Sequence, residues 1–132
     1  MTGSKKEGVN KKNLTAEQYQ VCHLKGTEAP FTGKYYNHTE AGTYKCVCCG
    51  AELFRSQDKY DSGSGWPSYI RPFHPAAVKE VIDNSHGLQR LEIQCRQCEA
   101  HLGHVFLDGP QPTGLRYCIN SAALIFEHES SK

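Results

Sequence analysis

Seven cysteines are the residues of this chain whose type and spacing most clearly indicate chemistry. Four of them form two pairs with two residues between the partners, Cys46 with Cys49 and Cys95 with Cys98. This spacing lets a tight turn aim both sulfurs at one ion, and four thiolates suit tetrahedral zinc. The pattern therefore predicts one structural Zn²⁺ ion bound by Cys46, Cys49, Cys95 and Cys98. Four reduced core cysteines, or a redox-active CxxC pair, are the alternatives.

Cys118 has no such partner and is the candidate nucleophile. Successive side chains of a strand point to opposite faces, so Arg116, Cys118 and Asn120 are expected on one face. The arginine charge favours ionisation of a thiol, and the asparagine amide offers a hydrogen-bond donor. A buried structural cysteine is the alternative.

Two histidines and the only tryptophan extend this candidate site. His101 and His104 follow the second cysteine pair, and imidazole transfers protons near neutral pH. A surface histidine or a metal ligand is the alternative. Residues three apart face opposite sides of a flat strand, so both histidines reach one site only if Gly103 bends the chain. Trp66 lies in a segment rich in glycine and proline, either as a plug of the loop or as one wall of a small apolar pocket.

The elements that must position these residues are mostly strands. Thr15-Ala16-Glu17-Gln18 has the pattern of a capping box and predicts a short helix through about Leu24, which Gly26 ends. Alternating apolar and polar residues predict a strand over 90–95, and residues 115–126 form the longest strand-like segment, with a bend near Asn120. Further strands are predicted at 43–47, 51–54, 77–82 and within HLGHVF. The expected class is a mainly β, mostly antiparallel domain with one or two helical turns near its N-terminus.

Length and charge narrow the class of protein further. A chain of 132 residues suits one domain, which we place at 14–127 between a disordered tail (1–13) and a flexible tail (128–132). The formal net charge of +1 argues against a dedicated nucleic-acid binder, and no apolar run is long enough to span a membrane. The N-terminal residues lack an apolar signal region, and an odd number of cysteines fits a reducing compartment. We therefore expect a cytoplasmic monomer.

Several motifs together resemble the type B methionine sulfoxide reductase family, namely GTEAPFTGKY, CVCCG, SGSGWPSY, HLGHVF and DGPQPTGLRYCINSAAL. The resemblance covers about residues 14–127 in uninterrupted order. It implies two packed antiparallel sheets, a structural zinc away from the active site, and reduction of the R epimer of methionine sulfoxide, free or in proteins, to methionine. It also implies that Cys118 is the nucleophile, which becomes a sulfenic acid, and that the substrate is surrounded by His101, His104, Asn120, Arg116 and Trp66.

The regeneration of Cys118 departs from the common pattern of that family. Many members carry a resolving cysteine before GWPS, where this chain has Ser64. Thiol attack reverses a sulfenic acid, and thioredoxin is the family's usual reductant. We expect Cys22 to form a transient disulfide with Cys118, which thioredoxin then opens. Resolution by Cys48, or direct reduction by thioredoxin or a small thiol, is the alternative.

Two other classes of protein compete with this interpretation. A zinc-ribbon interaction module without catalysis would explain the four paired cysteines but not Cys118 and its neighbours. A small Cys–His acyl-transfer enzyme would use Cys118 and a histidine, but the sequence shows no evident oxyanion hole.

Overall fold

The computed structural model describes residues 14–128, except residues 86 and 88, and these form one α-helix and two antiparallel sheets. The tails predicted at 1–13 and 128–132 lie outside the described residues, apart from His128, which ends the last strand. In chain order the helix and strands are α1 (Ala16–Leu24), β1 (Gly42–Cys46), β2 (Glu52–Arg55), β3 (Lys59–Tyr60), β4 (Ser68–Tyr69), β5 (Val78–Asp83), β6 (Arg90–Cys95), β7 (His101–Phe106), β8 (Arg116–Ile119) and β9 (Leu124–His128). The mainly β class is confirmed. Among the described residues, no helix has the length and apolar character needed to cross a membrane.

Helix α1 begins at the predicted capping box. The backbone N–H of Gln18 donates to Thr15 Oγ1 at 3.1 Å, and the backbone N–H of Thr15 donates to Gln18 Oε1 at 2.8 Å. The helix ends at Lys25, which takes the left-handed conformation with φ of 59°. It packs against β7 and against a 3₁₀ turn at Ser121–Ala123.

The two sheets enclose the core between them. Strands β2-β1-β9 form the small sheet, and β3-β4-β8-β7-β6-β5 form the large one. Phe54 of β2 stacks on Tyr69 of β4 with ring centroids 4.4 Å apart, and Tyr44 of β1 meets Tyr69 at 5.4 Å. All three rings are fully buried. Because they come from different sheets, these aromatic contacts hold the two layers together.

The register of the large sheet separates an inner from an outer face. Tyr69, Tyr117 and Val105 lie opposite one another on β4, β8 and β7, and all three are buried toward the core. The alternate residues of the same strands therefore point outward. Cys118 is one of them, so the candidate nucleophile lies on the outer face of the large sheet.

The longest strand-like segment predicted from the sequence, residues 115–126, forms two separate strands in the structure. Strand β8 ends at Ile119, the 3₁₀ turn follows, and β9 pairs with β1 in the other sheet. The break falls at Asn120, where a bend is predicted, and the backbone N–H of Asn120 donates to Leu102 O at 2.9 Å. The chain leaves the large sheet at this point, forms the 3₁₀ turn and then joins the small sheet as β9.

Candidate active site

The four paired cysteines come together as predicted. Their sulfurs all lie within 4.8 Å of one another, with Cys46 Sγ 3.6 Å from Cys98 Sγ and Cys49 Sγ 3.6 Å from Cys95 Sγ. Four ligands at about 2.3 Å around a tetrahedral ion lie roughly 3.8 Å apart, which this cluster matches. The cluster could therefore hold a metal ion.

Cys48 stands beside this cluster rather than beside Cys118. It is buried, and its Sγ lies 3.6 Å from Nε2 of His23 on α1. Cys22 lies on α1 itself, and its side chain is buried in the core.

Cys118 lies in a row of polar residues that crosses the outer face of the large sheet. In the register, Ser68 of β4 faces Cys118 of β8, Cys118 faces His104 of β7, and His104 faces Glu92 of β6. Directly opposed side chains of adjacent antiparallel strands lie about 5 Å apart at Cβ. The sheet therefore places a histidine on the strand next to the thiol without help from a loop.

A cavity of about 270 Å³ opens above Cys118. Its walls include the predicted residues Trp66, Arg116 and Asn120, as well as Ser64. Three further wall residues were missed by sequence reasoning: Thr27, Arg90 and Phe106. Two larger cavities, of about 490 and 350 Å³, have no cysteine among their lining residues, so we place the site at the cavity above Cys118. His101 and His104 do not line the cavity themselves.

Burial sets the acidity of the nucleophile. Desolvation raises the pKa of Cys118, whereas the charge of Arg116 and hydrogen bonds from Ser64 and Arg116 lower it. The predicted effect of Arg116 has the correct sign but is outweighed by burial. Arg116 is itself held by Asp108, with Nε to Oδ1 at 2.9 Å and Nη2 to Oδ2 at 3.2 Å. Its guanidinium also lies over the Phe106 ring at 4.5 Å.

Both histidines are paired with carboxylates that sequence reasoning missed. His101 Nδ1 lies 2.7 Å from Glu92 Oε2, and His104 Nε2 lies 2.8 Å from Asp83 Oδ2. Glu92 and His101 are almost fully buried, and desolvation lowers the pKa of His101 although Glu92 opposes it. A charged residue at an outward strand position is the only sequence signal for these partners, and many solvated residues share it.

The two histidines reach one region through a β-bulge. The pairing of β6 with β7 shifts between Ile93 and Gln94, so that Gln94 faces His101 where regular pairing would place Leu102. The extra residue returns His101 to the side of His104, and the two rings lie 5.6 Å apart. The close pairing of β7 with β8 requires a glycine at position 103, since a Cβ there would lie 2.0 Å from the carbonyl oxygen of Cys118. The bend predicted at Gly103 is thus a bulge at the preceding residue.

The amide of Asn120 is committed to the protein. Its Nδ2 donates to Leu102 O at 3.0 Å, and its Oδ1 accepts from the backbone N–H of Glu28 at 3.0 Å. The indole Nε1 of Trp66 donates to the carbonyl oxygen of the same Glu28 at 3.0 Å. Asn120 and Trp66 are therefore fixed walls of the cavity.

A half-buried thiol at an apolar-walled cavity, with a histidine on the adjacent strand and a four-cysteine cluster at the end of the same sheet, is typical of cysteine-dependent enzymes. Comparison with known proteins is more specific. The model of the SelR domain matches residues 14–128. The peptide methionine sulfoxide reductase MsrB of Pseudomonas putida (strain W619) is 61% identical over 114 residues, covering 86% of each chain. Those of Hahella chejuensis and Cellvibrio japonicus are 60% and 54% identical, covering 88% and 90% of this chain and 84% and 85% of theirs. The chain belongs to the SelR-domain family of type B methionine sulfoxide reductases.

Proposed function

We propose that this protein reduces methionine-R-sulfoxide, free or within proteins, to methionine through Cys118. The observation that carries the proposal is the placement of Cys118 at a cavity walled by Trp66, with His104 on the adjacent strand. Membership of the family supports the reaction class.

The first step is attack of the Cys118 thiolate on the sulfoxide. The enzyme thiol and methionine sulfoxide give methionine and a Cys118 sulfenic acid, so the oxygen moves from the substrate to the enzyme sulfur. The substrate sulfur is reduced by two electrons, and Cys118 is oxidised by two. Trp66 and Phe106 line the cavity and give the methyl group apolar contact, and an indole face also attracts its partial positive charge.

The sulfoxide oxygen needs a proton as its bond to sulfur weakens, and His104 is the better placed donor. It lies opposite Cys118 in the pairing of β7 with β8, and Asp83 holds its Nε2, which leaves Nδ1 for the reaction. Because His104 does not line the cavity itself, its proton reaches the sulfoxide oxygen through a water molecule. His101 is buried, and desolvation lowers its pKa, so that a smaller fraction of His101 carries a proton to donate near neutral pH. We assign His101 to positioning of β7, and Arg116 to lowering the pKa of Cys118.

The four-cysteine cluster holds a structural zinc ion. Cys46 ends β1 of the small sheet and Cys95 ends β6 of the large sheet, so the ion links the two layers. A bound zinc ion supplies folding free energy there. Zinc ligation occupies these four thiols and leaves Cys22 and Cys48 for redox chemistry.

Regeneration requires two thiols. The thiol of Cys22 attacks the Cys118 sulfenic acid, a disulfide forms and water leaves, and thioredoxin then reduces the disulfide. Cys22 is only 3% exposed, so this route requires α1 to move from β7. Mass-spectrometric disulfide mapping after one equivalent of methionine-R-sulfoxide tests it, and a Cys22–Cys118 bridge is expected. Equal thioredoxin-dependent turnover of Cys22→Ser and wild type would favour direct reduction.

Resolved epimers test the proposed function. With thioredoxin and its reductase, the R epimer should be converted to methionine and the S epimer should not. Turnover of neither epimer by folded, zinc-loaded protein would refute the proposal.

A further inference from the structure

Glu28 is a buried carboxylate on the loop after α1, with no part in the chemistry proposed above. Only 5% of the surface of this residue is exposed. Oε2 accepts from the backbone N–H of Ser121 at 2.9 Å, and Oε1 accepts from that of Ala122 at 3.0 Å. The first N–H groups of a helical turn lack partners within it, and Asn120 makes no side-chain cap here. Glu28 therefore caps the 3₁₀ turn that follows the nucleophile strand, from 93 positions earlier in the chain.

The backbone of the same residue holds two walls of the cavity. Its N–H donates to Asn120 Oδ1 at 3.0 Å, and its carbonyl oxygen accepts from Trp66 Nε1 at 3.0 Å. Asn120 follows β8 and Trp66 precedes β4, and both line the cavity above Cys118. The backbone N–H, the carbonyl oxygen and both carboxylate oxygens of Glu28 thus all bond to residues that line the cavity or closely follow them in the chain.

The surroundings leave Glu28 little freedom to move. A Cβ at Gly33 would lie 2.3 Å from Glu28 Oε2 and 2.2 Å from Ser121 Oγ, so the loop passes in direct contact. Ser121 Oγ also accepts from the backbone N–H of Tyr35 at 3.2 Å. Packing at this density transmits a change at residue 28 to the groups it holds.

We propose that Glu28 is a positioning residue that ties Trp66 to Asn120 and so fixes the cavity in which the sulfoxide methyl group binds. The inference rests on the proposed function for its kinetic effect only. A glutamine at this position keeps one acceptor oxygen and turns an amide N–H₂ toward a backbone N–H. The carboxylate cap is then half lost, and the loop shifts away from Trp66 and Asn120.

Kinetics of Glu28→Gln test the proposal against a purely structural role. We expect KM for methionine-R-sulfoxide to rise about tenfold, corresponding to about 1.4 kcal/mol, with a smaller change in kcat. Glu28→Asp, which keeps the charge, should recover part of the loss. The matched control is Glu52→Gln, because Glu52 is exposed on β2 in the small sheet. Wild-type KM in folded Glu28→Gln, or a lower thermal stability with unchanged KM, would overturn the proposal.

Trp66 offers a readout that needs no substrate, because it is the only tryptophan. In Glu28→Gln its fluorescence should shift to longer wavelength and be quenched more readily by acrylamide. In the wild type, the indole N–H should exchange slowly with solvent because it donates to Glu28. Rapid exchange of that proton in the wild type would overturn the proposal even if the variants fail to fold. If the wild type reduces neither epimer, the proposed function fails while these two readouts still decide the role of Glu28.

Discussion

Replacement of Glu92 by glutamine tests the buried network under the histidines most directly. Glu92 is 2% exposed, and its carboxylate receives His101 Nδ1 at 2.7 Å, Gln94 Nε2 at 3.1 Å and Lys25 Nζ at 3.2 Å. Burial alone raises the pKa of Glu92, yet these hydrogen bonds lower it below its usual value. The carboxylate is therefore ionised near neutral pH, and its partners are arranged for a charge.

The expected loss of stability follows from those contacts. A hydrogen bond to a charged group contributes about 1.5–3 kcal/mol, and an unsatisfied buried donor costs about 1–3 kcal/mol. Glutamine keeps one acceptor and must turn its N–H₂ toward either His101 or Lys25, both of which donate. The Lys25 side chain is 62% exposed, so we discount its share for solvent screening. We expect Glu92→Gln to lower the free energy of unfolding by about 2 kcal/mol.

Urea denaturation of the zinc-loaded protein at pH 7 measures this difference. The control is Glu52→Gln, an exposed site on β2 where the change should stay within about 0.5 kcal/mol. A change in the free energy of unfolding that stays within the same limit for Glu92→Gln would refute the reasoning, because the buried carboxylate would then contribute no more than an exposed one.

Three substitutions and one pH titration test the remaining parts of the mechanism. Cys118→Ser should lower turnover at least about a thousandfold, with unchanged circular dichroism and zinc content, because a hydroxyl is far less ionised than a thiol. Cys98→Ser should lose the metal and unfold much of the domain, because a structural zinc site contributes roughly 10 kcal/mol or more; elemental analysis and circular dichroism measure both. The rate of Cys118 alkylation by iodoacetamide should rise with a midpoint at higher pH than that of an exposed thiol, because burial raises the pKa of Cys118 and the thiolate is the reacting form. Arg116→Gln should move this midpoint higher still, because it removes a nearby positive charge.

Local patterns in the sequence correctly predict the helix start, the face of the nucleophile strand and the cysteine cluster. The capping box at Thr15 and Gln18 is confirmed atom by atom, because all its partners lie within four residues. The alternation that places Arg116 and Cys118 on one face is confirmed by the register with Phe106 and His104. The spacing of the paired cysteines correctly predicts their convergence.

Features that depend on distant partners could not be predicted in the same way. The bulge that brings His101 beside His104 depends on how β6 pairs with β7, which no local pattern specifies. Asp83 and Glu92 become histidine partners only once three strands are aligned. Glu28 reaches Ser121 from 93 positions away, because the loop after α1 crosses the end of β8.

The central claim is that Cys118 takes the oxygen of methionine-R-sulfoxide, and a single-turnover experiment without reductant tests it most directly. Zinc-loaded protein is mixed with excess of either epimer, the methionine released per chain is counted, and the oxidised cysteine is located by mass spectrometry. We expect one methionine per chain from the R epimer, none from Cys118→Ser, and oxidation located at Cys118. Release of methionine by Cys118→Ser, or oxidation that spares Cys118 in the wild type, would contradict it.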